Sequence, residues 1–176
     1  DSTANYIADV TGDVLGNVVI VEGALNGDID TLAGDDQITI DLDSATFTGN
    51  IDAGTGDDDL TIDSDSGNAT INVSDYSNVE NLNLTGNNEF TMGGSGSYQE
   101  VNLGGATDLT IASGSSLTLS SSPLNGDTGD NDLNILGVVS GSVDLAAGND
   151  AVLIDLDTGS YTGSADGGLG IDTVTI

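Results

Sequence analysis

The stretch Asp52 to Ile62 reads DAGTGDDDLTI, and its residue types suit one chemistry above others. Gly54 and Gly56 let the backbone turn tightly and expose its carbonyls. Asp57, Asp58 and Asp59 add carboxylate oxygens, and Leu60, Thr61 and Ile62 lead away as a short alternating strand. A turn that offers only oxygen suits a hard cation. Ca²⁺ fits best, because it takes roughly six to eight oxygen ligands.

The stretch recurs. Asp30 to Ile40 reads DTLAGDDQITI, Asp144 to Ile154 reads DLAAGNDAVLI, and Asp166 to Ile176 reads DGGLGIDTVTI. A looser copy, NGDTGDNDLNI, runs from Asn125 to Ile135. The second glycine is kept throughout as Gly34, Gly56, Gly129, Gly148 and Gly170. Two residues after it stand Asp36, Asp58, Asn131, Asp150 and Asp172. The candidate ligands are Asp30, Gly34 and Asp36; Asp52, Gly54, Gly56 and Asp58; Gly129, Asp130 and Asp132; Asp144, Gly148 and Asp150; and Asp166, Gly168, Gly170 and Asp172. The plainer alternative is that these are only glycine turns at the corners of a coil.

Gly167 to Thr175 fits the pattern G-G-x-G-x-D-x-U-x in full, and Ala53 to Thr61 lacks one of its glycines. On these residues the chain resembles the repeats-in-toxin, or hemolysin-type, calcium-binding family. The resemblance covers five short stretches and their flanks. Its spacing departs from the family's tandem nine-residue roll. The step from Asp30 to Asp52, and equally from Asp144 to Asp166, is roughly 22 residues, the length of one coil in a larger solenoid. Such sporadic turns are similar to those in the β-helical parts of bacterial S-layer proteins and giant secreted adhesins. Tyr76 to Gly86, YSNVENLNLTG, also resembles segments of those proteins. The resemblance implies several Ca²⁺ ions, with side-chain contacts from Asp36, Asp58, Asp150 and Asp172. It also implies a structural, non-enzymatic segment of a secreted cell-surface protein, one that self-assembles into a lattice or attaches to cell-surface glycan. A repeat region of a secreted adhesin, toxin or hydrolase is the first alternative, and a carboxylate-dependent glycan hydrolase the second. Asp30, Asp52, Asp144 and Asp166 stand open between two roles, ligand or cap of the turn backbone.

The elements that must carry these turns are strands. A unit of apolar-x-Gly-x-apolar precedes four of the turns: Leu25 to Ile29, Phe47 to Ile51, Val139 to Val143 and Tyr161 to Ala165. Val10 to Val18 opens with strict alternation, the period of a strand. Gly27 to Ile62 aligns without gaps to Gly141 to Ile176 at an offset of 114, with seventeen of 36 positions identical, so the turns belong to a duplicated unit. The middle, Asp63 to Ser122, loses the acidic turns and keeps alternating pairs such as Leu82/Leu84 and Leu109/Ile111. Six intervals from Ile38 to Val174 average about 22.7 residues, the period of a stacked solenoid. The expected fold is therefore all-β: one right-handed parallel β-solenoid over residues 1 to 176, of about eight coils. Its inward file would run Ile38, Leu60, Leu82, Leu133, Val152 and Val174, with Thr39, Thr61, Asn83, Asn134, Leu153 and Thr175 outward. Stacking at this period sets Asp36 beside Asp58, Asp30 beside Asp52, and Asp150 beside Asp172.

Composition supports a cation. The chain has 30 acids and no Lys, Arg or His, for a net charge of −30, so no side-chain ion pair can form. Two carboxylates 5 Å apart repel by roughly 0.8 kcal/mol even in water. Only 3% of residues are aromatic, so the core must be Val, Ile, Leu and Ala. No cysteine is present to staple it. Without His or Cys the common nucleophile–base pairs cannot be built. A glycosidase needs only two carboxylates, but four Tyr, two Phe and no Trp leave few stacking platforms for sugar. Nucleic acid is repelled by this charge, and no run is long enough to span a membrane. The acids Asp41, Asp43, Asp63 and Asp65, with Asp155 and Asp157, lie on an outer face; they read as solvated surface or as weak peripheral Ca²⁺ sites. The chain opens at Asp1 without a basic leader, and Ile176 falls inside a strand pattern, which together predict a fragment of a longer protein.

Overall fold

The computed structural model describes residues 5 to 176; Asp1 lies outside the described residues. Among the described residues twenty-five short strands, all paired in parallel, wind into a solenoid, with one helical turn, Val73–Asp75. Each coil visits three faces. One face is a single eight-stranded sheet, beginning with Val18–Val21 and ending with Ala165–Asp166. The face that follows it in each coil is a three-stranded sheet up to Thr46–Thr48, then a six-stranded sheet from Ala69–Asn72 to Thr173–Thr175. The third face is a four-stranded sheet up to Tyr76–Ser77, then another from Ser95–Tyr98 to Ser160–Thr162. Among the described residues no helix is long and apolar enough to cross a membrane.

Alternation makes the coil. In Gln37–Asp41 and Asp59–Ser64 every second side chain is buried, and parallel pairing repeats that pattern from coil to coil. Two inward files run along the eight-stranded sheet. One is Val19, Ile38, Leu60, Leu82, Val101, Leu124, Val143 and Ala165. A fully buried Leu or Ile contributes roughly 1.5–3 kcal/mol, and adjacent strands lie about 4.8 Å apart. The interior is therefore a column of aliphatic ladders. Phe90, Met92 and Tyr98 supply its bulk in the middle.

Two expectations need correction. The inward file predicted to join Ile38, Leu60 and Leu82 to Leu133, Val152 and Val174 is two files on two faces. The last three follow Ala69, Phe90 and Leu109 in the six-stranded sheet. Likewise Thr39, Thr61 and Asn83 face out from the eight-stranded sheet, and Asn134, Leu153 and Thr175 from the six-stranded one. The cause is unequal coil length. The steps from Val19 to Ile38, Leu82 to Val101 and Leu124 to Val143 are shorter than those from Ile38 to Leu60 and Leu60 to Leu82. Five coils therefore carry Ile38 only as far as Val143, and Val152, its counterpart in the duplication, lies beyond that on the next face. The second correction concerns Val10 to Val18. Only its two ends are strand, Val10–Thr11 and the first residue of Val18–Val21. Val14 and Leu15 are exposed on a turn whose glycines are Gly12 and Gly16.

Candidate metal centre

The acidic turns sit at two corners. The turns from Asp30 and Asp52 lead into the eight-stranded sheet, at Gln37–Asp41 and Asp59–Ser64. Those from Asp144 and Asp166 lead out of it, into Ala151–Ile154 and Thr173–Thr175. Within each corner the expected neighbours are in register: Asp30 pairs with Asp52 and Asp144 with Asp166. The two pairs of turns do not share a stack.

Each turn is closed by its first aspartate. The Asp30 Oδ1 accepts the Leu32 N–H at 3.2 Å, and Asp52 accepts from Gly54 at 3.2 Å. Asp144 accepts from Ala146 and Asp166 from Gly168, both at 3.0 Å. Of the two roles left open for these residues, Oδ1 takes the cap. The donor residue is left-handed in all four turns, with φ of 73° at Leu32, 94° at Gly54, 65° at Ala146 and 82° at Gly168. A Cβ at Gly54 would lie 1.9 Å from the Leu32 carbonyl oxygen, so the second rung demands glycine where the first tolerates leucine. The kept glycine answers to the same packing. A Cβ at Gly56 would meet the Gly34 carbonyl oxygen at 1.9 Å, and one at Gly170 would meet that of Gly148 at 1.5 Å. The turns stack backbone on backbone, which places Gly34, Gly56, Gly129, Gly148 and Gly170 along the corners.

The residue two beyond that glycine turns inward. Asp36, Asp58 and Asp150 are 1%, 1% and 2% exposed, and Asn131 is fully buried. They form ladders along the solenoid axis in which each backbone N–H donates to the side chain one coil on. At the first corner Asn17 N donates to Asp36 Oδ1 (2.6 Å), Asp36 N to Asp58 Oδ1 (2.8 Å) and Asp58 N to Glu80 Oε2 (3.1 Å). At the second, Asn131 N donates to Asp150 Oδ1 (2.7 Å) and Asp150 N to Asp172 Oδ1 (3.1 Å). One oxygen of each buried carboxylate is thereby used. The other, Oδ2 of Asp36, Asp58 and Asp150, is buried with no hydrogen-bond partner.

An unpaired buried carboxylate oxygen is costly, and more so when its neighbours are also acids. Burial pushes the Asp58 carboxyl above its ordinary value. The Asp36 N–H opposes that, and the charges of Asp36, Glu80 and Asp35 add to it. Burial likewise raises Asp150, opposed by the Asn131 N–H and reinforced by Asp172, Asp130 and Asp127. Stacked carboxylates with one free oxygen each, beside stacked turn carbonyls, are a donor set of hard oxygens. The donor set would suit a calcium ion, which Asp36 and Asp58 would hold at one corner and Asp150 and Asp172 at the other.

Not every candidate lies in the ladders. Asp130 is on the outer side of its turn and accepts the Asn149 N–H at 2.7 Å. Asp132 begins the strand Asp132–Ile135 and its N–H donates to Asp108 Oδ1 at 2.8 Å. Three members of the ladders carry no acidic-turn motif: Asn17, Glu80 and, at the inner end of the second corner, Thr107, whose carbonyl accepts from Asn131 Nδ2 at 3.0 Å. Glu80 was within reach of the sequence, because it follows Asp58 at the same step that separates Asp58 from Asp36.

Asp41, Asp43 and Asp63 can bring three oxygens within 4.8 Å of one another, the one such trio among the described residues. Five of their six oxygens accept hydrogen bonds. Asp43 accepts from Asp65 N (2.8 Å) and Ser66 N (2.7 Å), Asp41 from Asp43 N (2.9 Å) and the Ser44 hydroxyl (2.7 Å), and Asp63 from the Thr85 hydroxyl. Hydrogen bonding from Ser66 and the Asp65 N–H holds the Asp43 carboxyl below its ordinary value. Comparison with known protein families, curated proteins and solved structures finds no match to this chain.

Proposed function

We propose that the chain is a calcium-stabilised structural segment of a secreted bacterial cell-surface protein. The observation that carries the calcium reading is the free, buried Oδ2 of Asp36, Asp58 and Asp150. A cation at those oxygens relieves a cost that no side chain of this protein can relieve, since it has no Lys, Arg or His. Support for the surface role comes from the resemblance of the turns to repeats-in-toxin motifs and to the β-helical parts of S-layer proteins. A stiff, acidic rod of this kind suits assembly into a surface lattice or attachment to cell-surface glycan.

The reading ties folding to location. Free Ca²⁺ is scarce inside a bacterium, so the stacked acids keep the coils that carry them open for export; outside, calcium folds them. Each filled site adds about RT ln(1 + [L]/Kd), or about 2.7 kcal/mol at a hundredfold excess over Kd. Circular dichroism followed against free Ca²⁺ tests this. The expected result is a steep transition at micromolar to millimolar calcium. Full folding at nanomolar calcium, or indifference at millimolar, overturns the role.

A further inference from the structure

Both ladders lose their charge toward the middle of the molecule. At the first corner the buried position passes from Asp36 and Asp58 to the half-buried Glu80, and the N–H of Gln99 then donates to the Glu80 carbonyl in the next coil. At the second corner, read back from the end, Asp172 and Asp150 give way to Asn131 and then to Thr107. Thr107 is fully buried, and its hydroxyl lies within hydrogen-bond reach of the carbonyls of Gly86 (2.9 Å) and Gly104 (2.6 Å). Neutral groups close the middle corners unaided.

The rest of the middle agrees. Only seven of the 30 acids fall between Asp63 and Ser122. None of them appears among the buried oxygens without a partner; the one such group in that span is the Tyr98 hydroxyl, which is neutral. Phe90, the largest fully buried side chain, is there with Met92, packed in files with Leu109 and Ile111. Outside, the Asn83, Asn102 and Asn125 amides bond one to the next at 3.0 and 2.9 Å, a ladder that needs no ion.

We propose that the coils from about Leu82 to Leu119 fold without calcium, and that the two acidic ladders are closed onto this middle by calcium separately, one at each corner. The inference rests on the calcium reading above and adds an order and an independence to it. In a solenoid each coil touches only its neighbours, so stability is divisible along the axis. The middle coils, free of unpaired buried carboxylates, supply a finished edge on which each flank is built.

Hydrogen exchange of the whole chain, resolved by peptide mass, tests it. In chelator, peptides within 82–119 are expected to stay protected, while those covering 29–41 and 143–154 exchange at least about tenfold faster than in calcium. Asp58→Ala should then cancel the calcium-dependent protection of 29–41 and leave that of 143–154 intact, and Asp150→Ala the reverse. Titration calorimetry on the same samples separates the two ideas. Calcium that binds while all peptides gain protection together, or a single variant that unprotects both flanks equally, overturns the inference alone. Absence of calcium binding overturns the calcium reading and the inference with it.

Discussion

Asp58 and Asp43 are the same residue type on the same solenoid, less than one coil apart along the chain, and their carboxylates are in opposite situations. Asp43 is exposed, belongs to the one close trio of carboxylates, and has its oxygens engaged by the Asp65 and Ser66 N–H groups. Asp58 belongs to no such trio, is 1% exposed, and keeps one oxygen without a partner. If the ladders hold the cation as proposed, crowding of acids is a poor guide to the site. Lattice geometry explains the crowding, because parallel register places Asp41 beside Asp63. The informative quantity is an unmet hydrogen-bonding demand where water cannot reach.

Four outcomes would sharpen or break that contrast. The largest concerns the backbone under the buried ladder. Gly56→Ala puts a Cβ against the Gly34 carbonyl, and should cost about 3 kcal/mol in calcium, measured by chemical denaturation. Asp58→Asn should change sign with conditions: destabilising by about 2 kcal/mol in saturating calcium and stabilising by a similar amount in chelator, where it removes a buried unpaired charge. A thermal-melt series in both buffers reads this, and loss of stability in both would contradict it. Asp43→Asn should leave calcium affinity unchanged in calorimetry; a loss equal to that of Asp58→Asn would erase the distinction between the two acids. The smallest change in stability is that of Ala146→Gly, which relieves a left-handed alanine and should stabilise by about 1 kcal/mol in a denaturant titration.

Much of this was legible in the sequence. The alternation of Gln37–Asp41 and Asp59–Ser64 and the recurring step between turn copies specify a stacked parallel coil, and their register follows. The turn copies were visible because a left-handed residue after an aspartate cap and a glycine under a stacked carbonyl leave strong marks. What was not legible depends on sums over many residues. The short coils from Leu82 to Val101 and from Leu124 to Val143 shift the second copy of the duplication by one face, and no local pattern around Val152 records that. The turn from Gly12 to Asn17 was hidden because its glycines fall at alternate positions between valines, which imitates a strand. Glu80 and Thr107 were missed because the ladder, unlike the turn motif, tolerates any side chain that can accept or supply one hydrogen bond.

A crystal structure in calcium, with ions located by anomalous scattering, decides whether the buried ladders hold the cation. Ions are expected at the two corners, with Oδ2 of Asp36, Asp58 and Asp150 at about 2.3–2.6 Å from them. Ions found only at the exposed trio of Asp41, Asp43 and Asp63, with the corner oxygens still bare in saturating calcium, would contradict that expectation.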